Sequence, residues 1–162
     1  MISIRRLQTG EADLFKQVRL MALQDAPYAF PSTYAAAMQR SAESWREQAE
    51  GTAQGTDRAT FIAFSEDAPI GMAALYRLED QVDVGELLQV WISPEYRGTS
   101  VAWDLTDAIF KWARENNSHQ ILAGVTKVNA MAFKFYTKYG FSIQEESSED
   151  HPDGVYLVME VK

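Results

Sequence analysis

The run VGELLQVWIS (Val84–Ser93) is stopped by Pro94, turned at Arg97–Gly98 and followed from about Val101 by the clearest amphipathic helix of the chain. In that helix Val101, Leu105, Ala108, Ile109 and Trp112 recur at helical spacing, and Asn116–Asn117 ends it. A strand feeding a long helix through a tight turn commits the chain to layered sheet-and-helix packing, because each element must bury one apolar face against another. The rest of the sequence repeats the alternation. Ser3–Leu7 reads as a strand, and Glu11–Leu23 as a helix capped by Thr9 with Leu14, Val18 and Met21 along one face. Pro27 and Pro31 break the chain into a loop, and Ser44–Glu50 follows as a helix whose Ser44 and Glu47 have capping-box spacing. GTAQGTD (51–57) reads as a flexible connection, and Thr60–Ser65 and Pro69–Leu78 as a hairpin about Glu66–Ala68. Gln120–Thr126 is a short apolar strand, and Ala130–Tyr139 a helix capped by Asn129 and ended by Gly140. Phe141–Glu146 and Val155–Val161 are strands around the acidic turn Ser147–Gly154. The expectation is a single domain over residues 1–162, α/β in the mixed, α+β sense.

Composition excludes several chemistries. The chain has no cysteine, so thiolate zinc sites and cysteine nucleophiles are out, and its two histidines, His119 and His151, stand far apart. No metal site is expected. The net charge of −8, from 15 basic and 23 acidic residues, argues against a nucleic-acid partner. It serves solubility or favours a cationic ligand. No stretch approaches ~18 apolar residues, which would be needed to span a membrane. No secretory signal pattern opens the chain, so the expected location is cytoplasmic.

Two segments carry chemistry. At the strand–loop–helix, the start of the helix offers unpaired backbone N–H groups and the positive end of the helix dipole, a site for phosphate. Gly98 permits close approach, Arg97 adds a charge, and Thr99 and Ser100 add hydroxyl donors. The segment matches neither the Walker pattern nor the dinucleotide fingerprint, and an ordinary Arg-Gly turn would look the same. In the second segment, residues 125–141, Asn129 also reads as a plain N-cap and Tyr136 as a plain core aromatic.

Together the two segments resemble the GNAT superfamily of acyl-CoA-dependent N-acyltransferases. The family's pyrophosphate loop, Arg/Gln-x-x-Gly-x-Gly/Ala after a strand ending Val-x-Pro-x-Tyr, is similar to Arg97-Gly98-Thr99-Ser100-Val101-Ala102 after Ile92-Ser93-Pro94-Glu95-Tyr96. The second motif, Asn-x-x-Ala-x-x-x-Tyr-x-Lys-x-Gly-Phe, is matched by Asn129, Ala132, Tyr136, Lys138, Gly140 and Phe141. One position departs: Ser100 stands where the family has glycine, where a side chain would crowd a pyrophosphate or turn the loop.

The resemblance implies a central, mostly antiparallel sheet splayed in the middle and flanked by helices. It implies acetyl-CoA as cosubstrate, with backbone groups of Trp91 and Ile92 along the pantetheine, residues 97–102 at the pyrophosphate and Asn129 on the pantetheine. It implies direct attack by an amine, Tyr136 as general acid and Glu86 as the candidate base, directly or through water. Gln89 and Glu95 are weaker choices for the base. The implied partner is an amine-bearing small molecule or peptide, with no membrane or nucleic acid; a homodimer is compatible with it. The N-terminal segment with Tyr28, Phe30, Tyr34 and Trp45 either lines an acceptor pocket or belongs to the core. The competing reading is a module that keeps CoA as a sensor, or has lost it and serves in assembly.

Overall fold

The computed structural model describes residues 1–126, 128–145 and 154–162, with Tyr28 and Glu145 described in backbone alone. Strands β1 (Ile2–Arg6), β2 (Arg58–Ser65), β3 (Ala68–Arg77), β4 (Val84–Ile92), β5 (Gln120–Thr126), β6 (Ser142–Glu145) and β7 (Gly154–Glu160) form one sheet in the order β1-β2-β3-β4-β5-β7-β6. Every pairing is antiparallel except the parallel β4–β5 contact at its centre. His151 and the acidic turn lie outside the described residues. No described helix is long and apolar enough to cross a membrane.

Helices cover both faces. On one face α4 (Val101–Glu115) and α5 (Ala130–Tyr139) pack over Leu75, Leu87, Ile121 and Leu157. Leu105 and Ile109 are fully buried there, each worth roughly 1.5–3 kcal/mol of apolar burial. On the other face α1 (Ala12–Asp25) and α3 (Ala42–Gln54) pack over Ile62, Met72 and Trp91.

The helix boundaries differ from the pattern-based expectation where caps compete. Thr9 does not cap α1, whose N-cap is Glu11 with no side-chain bond. Its buried stripe is Phe15, Val18, Arg19, Ala22 and Leu23. Val18 of the expected Leu14–Val18–Met21 face lies on it, while Leu14 and Met21 flank it, half-buried against the same core. Ser41, rather than Ser44, caps α3 by accepting from the Ser44 N–H at 3.1 Å. The helix then absorbs the first residues of the supposed linker, as far as Gln54. Thr33 caps a further short helix, α2 (Tyr34–Met38), inside the expected loop. Trp45 joins the core at 2% exposure, and Tyr34 is exposed.

Candidate active site

Strands β4 and β5 are paired only where Val84–Leu87 runs beside Gln120–Ala123. Beyond Leu87, β4 stays with β3 as far as Ile92 opposite Gly71, and β5 stays with β7 as far as Thr126 opposite Gly154. The strands therefore part, and a cleft of about 670 Å³ opens at the split. The bend originates in β4. Its register against β3 passes from Leu88–Ala74 to Trp91–Met72, so two β4 residues face one β3 residue. Gln89 takes the left-handed φ of 56° at that step. A bulge of this kind kinks its strand and leaves ladder groups unpaired. The Ser93 N–H bonds the Ile70 carbonyl on β3, so strand alternation turns the backbone groups of Ile92 to the open side.

The loop at the end of β4 forms one wall. A 3₁₀ turn over Pro94–Tyr96 leads to Gly98, whose φ is +81° and at which an added Cβ would meet nothing within 4 Å. The glycine serves backbone conformation, which an L side chain would strain. Among the described residues the N–H groups of Gly98, Ser100, Ala102 and Trp103 find no acceptor, and they sit at the positive end of α4. Ser100 lies in the right-handed region at φ −77°, so the position makes no demand for glycine. The Thr99 and Ser100 hydroxyls, expected as donors to a ligand, are engaged within the protein here. The Thr99 hydroxyl donates to the Tyr96 carbonyl, and Ser100 Oγ donates to Asp104 Oδ2 at 3.0 Å. Short hydroxyls find acceptors within one turn of their own backbone.

Arg97 is also held within the protein. Its Nε donates to the Ile92 carbonyl at 3.0 Å, and its Nη2 is paired with Asp25 Oδ2. The same Asp25 oxygen accepts from Trp91 Nε1 at 2.9 Å. The last residue of α1 is thus tied to the end of β4 and to the loop after it. No local signal marks Asp25, because its partners are far off in sequence.

The opposite wall is α5. Asn129 Oδ1 caps the helix by accepting from the Ala132 N–H at 3.3 Å, and Asn129 also lines the cleft. Tyr136 lines it as well, with its ring 5.4 Å from both Phe135 and Phe141. Burial pushes the Tyr136 phenol above its ordinary pKa, so it stays protonated across the neutral range.

The structure brings Trp91, Ile92, Arg97, Gly98, Thr99, Ala102, Asn129 and Tyr136 to one cleft. Val101 is buried beneath it, and Ser100 and Glu86 are not among its lining residues. Glu86 lies opposite Tyr76 on β3 and beside Leu122 on β5, where the sheet is still closed. Gln89 does line the cleft, and its Oε1 is buried without a hydrogen-bond partner among the described residues. Phe30 lines the α1 side.

Residues 19–141 match the family described as Acetyltransferase (GNAT) family. Over 86 residues the chain is 34% identical to an uncharacterized N-acetyltransferase of Mycobacterium tuberculosis, a match covering 53% of this chain and 54% of that protein. The match thus spans about half the length of that curated relative. A putative acetyltransferase from Salmonella typhimurium, solved with its cofactor acetyl-CoA, shares the fold at a TM-score of 0.82 and 13% identity, over 100% of this chain and 95% of that one. An N-acetyltransferase from Thermoplasma acidophilum in complex with coenzyme A does so at 0.80 and 19% identity, over 99% of each chain.

Proposed function

We propose that this chain, which belongs to the GNAT acetyltransferase family, moves the acetyl group of acetyl-CoA to a primary amine by direct attack. The observation that carries the reading is the split between β4 and β5, with unpaired loop N–H groups on one wall and Tyr136 on the other. These residues fit the ligand. The N–H groups of Gly98, Ser100 and Ala102 suit a pyrophosphate. The open side of β4 at Ile92 suits an amide-bearing arm added as a surrogate strand, while Trp91 turns its backbone to β3 and the Ile92 carbonyl is shared with Arg97 Nε. The capping bond uses only Asn129 Oδ1, which leaves its Nδ2 to donate. An amine-bearing small molecule or peptide as acceptor and a cytoplasmic location belong to the same reading.

Bound acetyl-CoA supplies the thioester and the thiol leaving group. The chain has two protons to manage: the acceptor ammonium loses one before its nitrogen bonds the acyl carbon, and the sulfur gains one as the C–S bond breaks. Tyr136 holds a phenol proton throughout neutral pH and offers it to the developing negative charge. Glu86 takes the ammonium proton through water, since it stands outside the cleft lining. The absence of cysteine agrees with a route that forms no acyl-enzyme on sulfur.

Calorimetry with acetyl-CoA, followed by a thiol-release screen of amines, tests the proposal. Binding with no amine-dependent release would favour a CoA sensor. Ser100→Gly is expected to leave acetyl-CoA affinity at the wild-type level, because the backbone there needs no glycine; the stability change should be only about a few tenths of a kcal/mol. A large loss of affinity would show that the serine hydroxyl leaves Asp104 and binds ligand.

Glu86→Gln is expected to be most defective near neutral pH and to recover as pH rises. An alkylammonium has a reference pKa of about 10.4, so a base is most needed where the amine is almost wholly protonated. The pH profile of kcat/KM checks this. A deficit constant in pH, with a raised acceptor KM, would make Glu86 a binding group instead.

A further inference from the structure

The α1 face of the sheet carries a positive charge that this mechanism does not use. Arg19 stands on the buried stripe of α1 and is 7% exposed, and its Nη1 is buried with no hydrogen-bond partner among the described residues. The guanidinium lies 4.7 Å over the Phe30 ring. Its electrostatic neighbours are the Tyr76 phenol and a second arginine, Arg40. Arg40 stacks on Trp45 at 3.9 Å and, among the described residues, bonds only the Ser44 hydroxyl and carbonyl. Among the described residues neither arginine meets a carboxylate, in a chain with 23 acidic residues. Burial lowers the Arg19 pKa to about 10, with Tyr76 raising and Arg40 lowering it further, so the side chain is charged at neutral pH.

A charge buried without a counter-ion costs stability that an apolar residue in the same stripe would recover. An anion that arrives with a ligand would account for it. The position suits the acceptor. Phe30 lines the cleft, and Arg19, which is not itself a lining residue, stands directly behind that ring.

We propose that the acceptor amine also carries a carboxylate, which Arg19 binds from the α1 side of the cleft as the Phe30 ring turns aside. The inference rests on the acetyltransferase reading and narrows it. A planar carboxylate matches the guanidinium fork. Two clustered arginines disfavour polyamine and aminoglycoside acceptors, which the net charge alone would allow.

The standard L-amino acids, their primary amides and the corresponding decarboxylated amines form the test series. Each is assayed for thiol release with acetyl-CoA and, separately, for its effect on Tm without acetyl-CoA. For the best side chain the acid should exceed its amide in kcat/KM by about tenfold or more, in line with a lost charged hydrogen bond, and should raise Tm. In Arg19→Met the acid-to-amide ratio should collapse toward one and the acid-induced Tm rise should vanish, while the ligand-free Tm equals or exceeds wild type. Arg19→Lys, which keeps the charge, should retain part of the preference. Acids no better than amides in the wild type would overturn the proposal and leave the acetyltransferase reading standing. So would an Arg19→Met chain with lowered Tm, which would make the residue structural. Acids that raise the Tm of the wild type and not of Arg19→Met, with no thiol released from any amine, would keep the anion site and remove the acetyltransferase reading. No Tm rise with any acid removes the anion site.

Discussion

Tyr136→Phe is expected to lower turnover by roughly 10²–10⁴-fold, the usual worth of a positioned general acid, with acetyl-CoA affinity and Tm near wild type. The ring keeps its packing, since its contacts with Phe135 and Phe141 are made by carbon. The hydroxyl has no hydrogen-bond partner among the described residues, so its removal orphans nothing. Single-turnover acetylation of a competent amine reads the chemical step; a wild-type rate there would remove Tyr136 as the acid. The same variant reports the burial of the phenol. The folded-state pKa is raised above the unfolded value of about 10, so the folded chain binds more protons than the unfolded one at alkaline pH. Stability from this group is therefore complete below about pH 10 and falls as pH rises above it. Tyr136→Phe should soften that alkaline loss, and Tyr139, raised mainly by burial and by its bond to Asp107, should account for the remainder.

Arg97→Ala is expected to weaken acetyl-CoA binding at least about tenfold, because a charged hydrogen bond is worth about 1.5–3 kcal/mol. The geometry offers two routes to that loss. Arg97 can turn from Asp25 to a phosphate, or it can act in place by holding the Ile92 carbonyl and the loop. Asp25→Asn separates them. An arginine released to meet phosphate should bind acetyl-CoA as tightly as wild type or more so, and we expect that result. Parallel loss in both variants would mean that the Asp25–Arg97–Ile92 linkage orders the loop. Unchanged affinity in Arg97→Ala would remove the residue from the site altogether.

Much of the site was legible in sequence because its requirements are local. Gly98 at positive φ, the α4 N-terminus after Pro94, the Asn129 cap and the Gly140 stop are each set by a few neighbouring residues. Period and capping chemistry report those directly. Where a local rule had two candidates, as with Ser41 and Ser44 at the start of α3, the hydrogen bond actually formed chose between them.

The tertiary structure alone decided what depends on distant partners. The bulge at Gln89 exists only against β3, and the split it opens exists only because β5 follows β7 while β4 follows β3. Asp25 meets Arg97 across a separation of 72 residues, and Arg19 looks like a solvated helix residue until α1 is laid on the sheet. Sequence by itself determined which segments are strands and where the longer helices and the turn at Gly98 fall, since those follow from backbone preference and spacing along one element. Which charges are paired, and which are buried and left waiting, follows from how the elements pack, because electrostatic energy depends on burial and on distance through space.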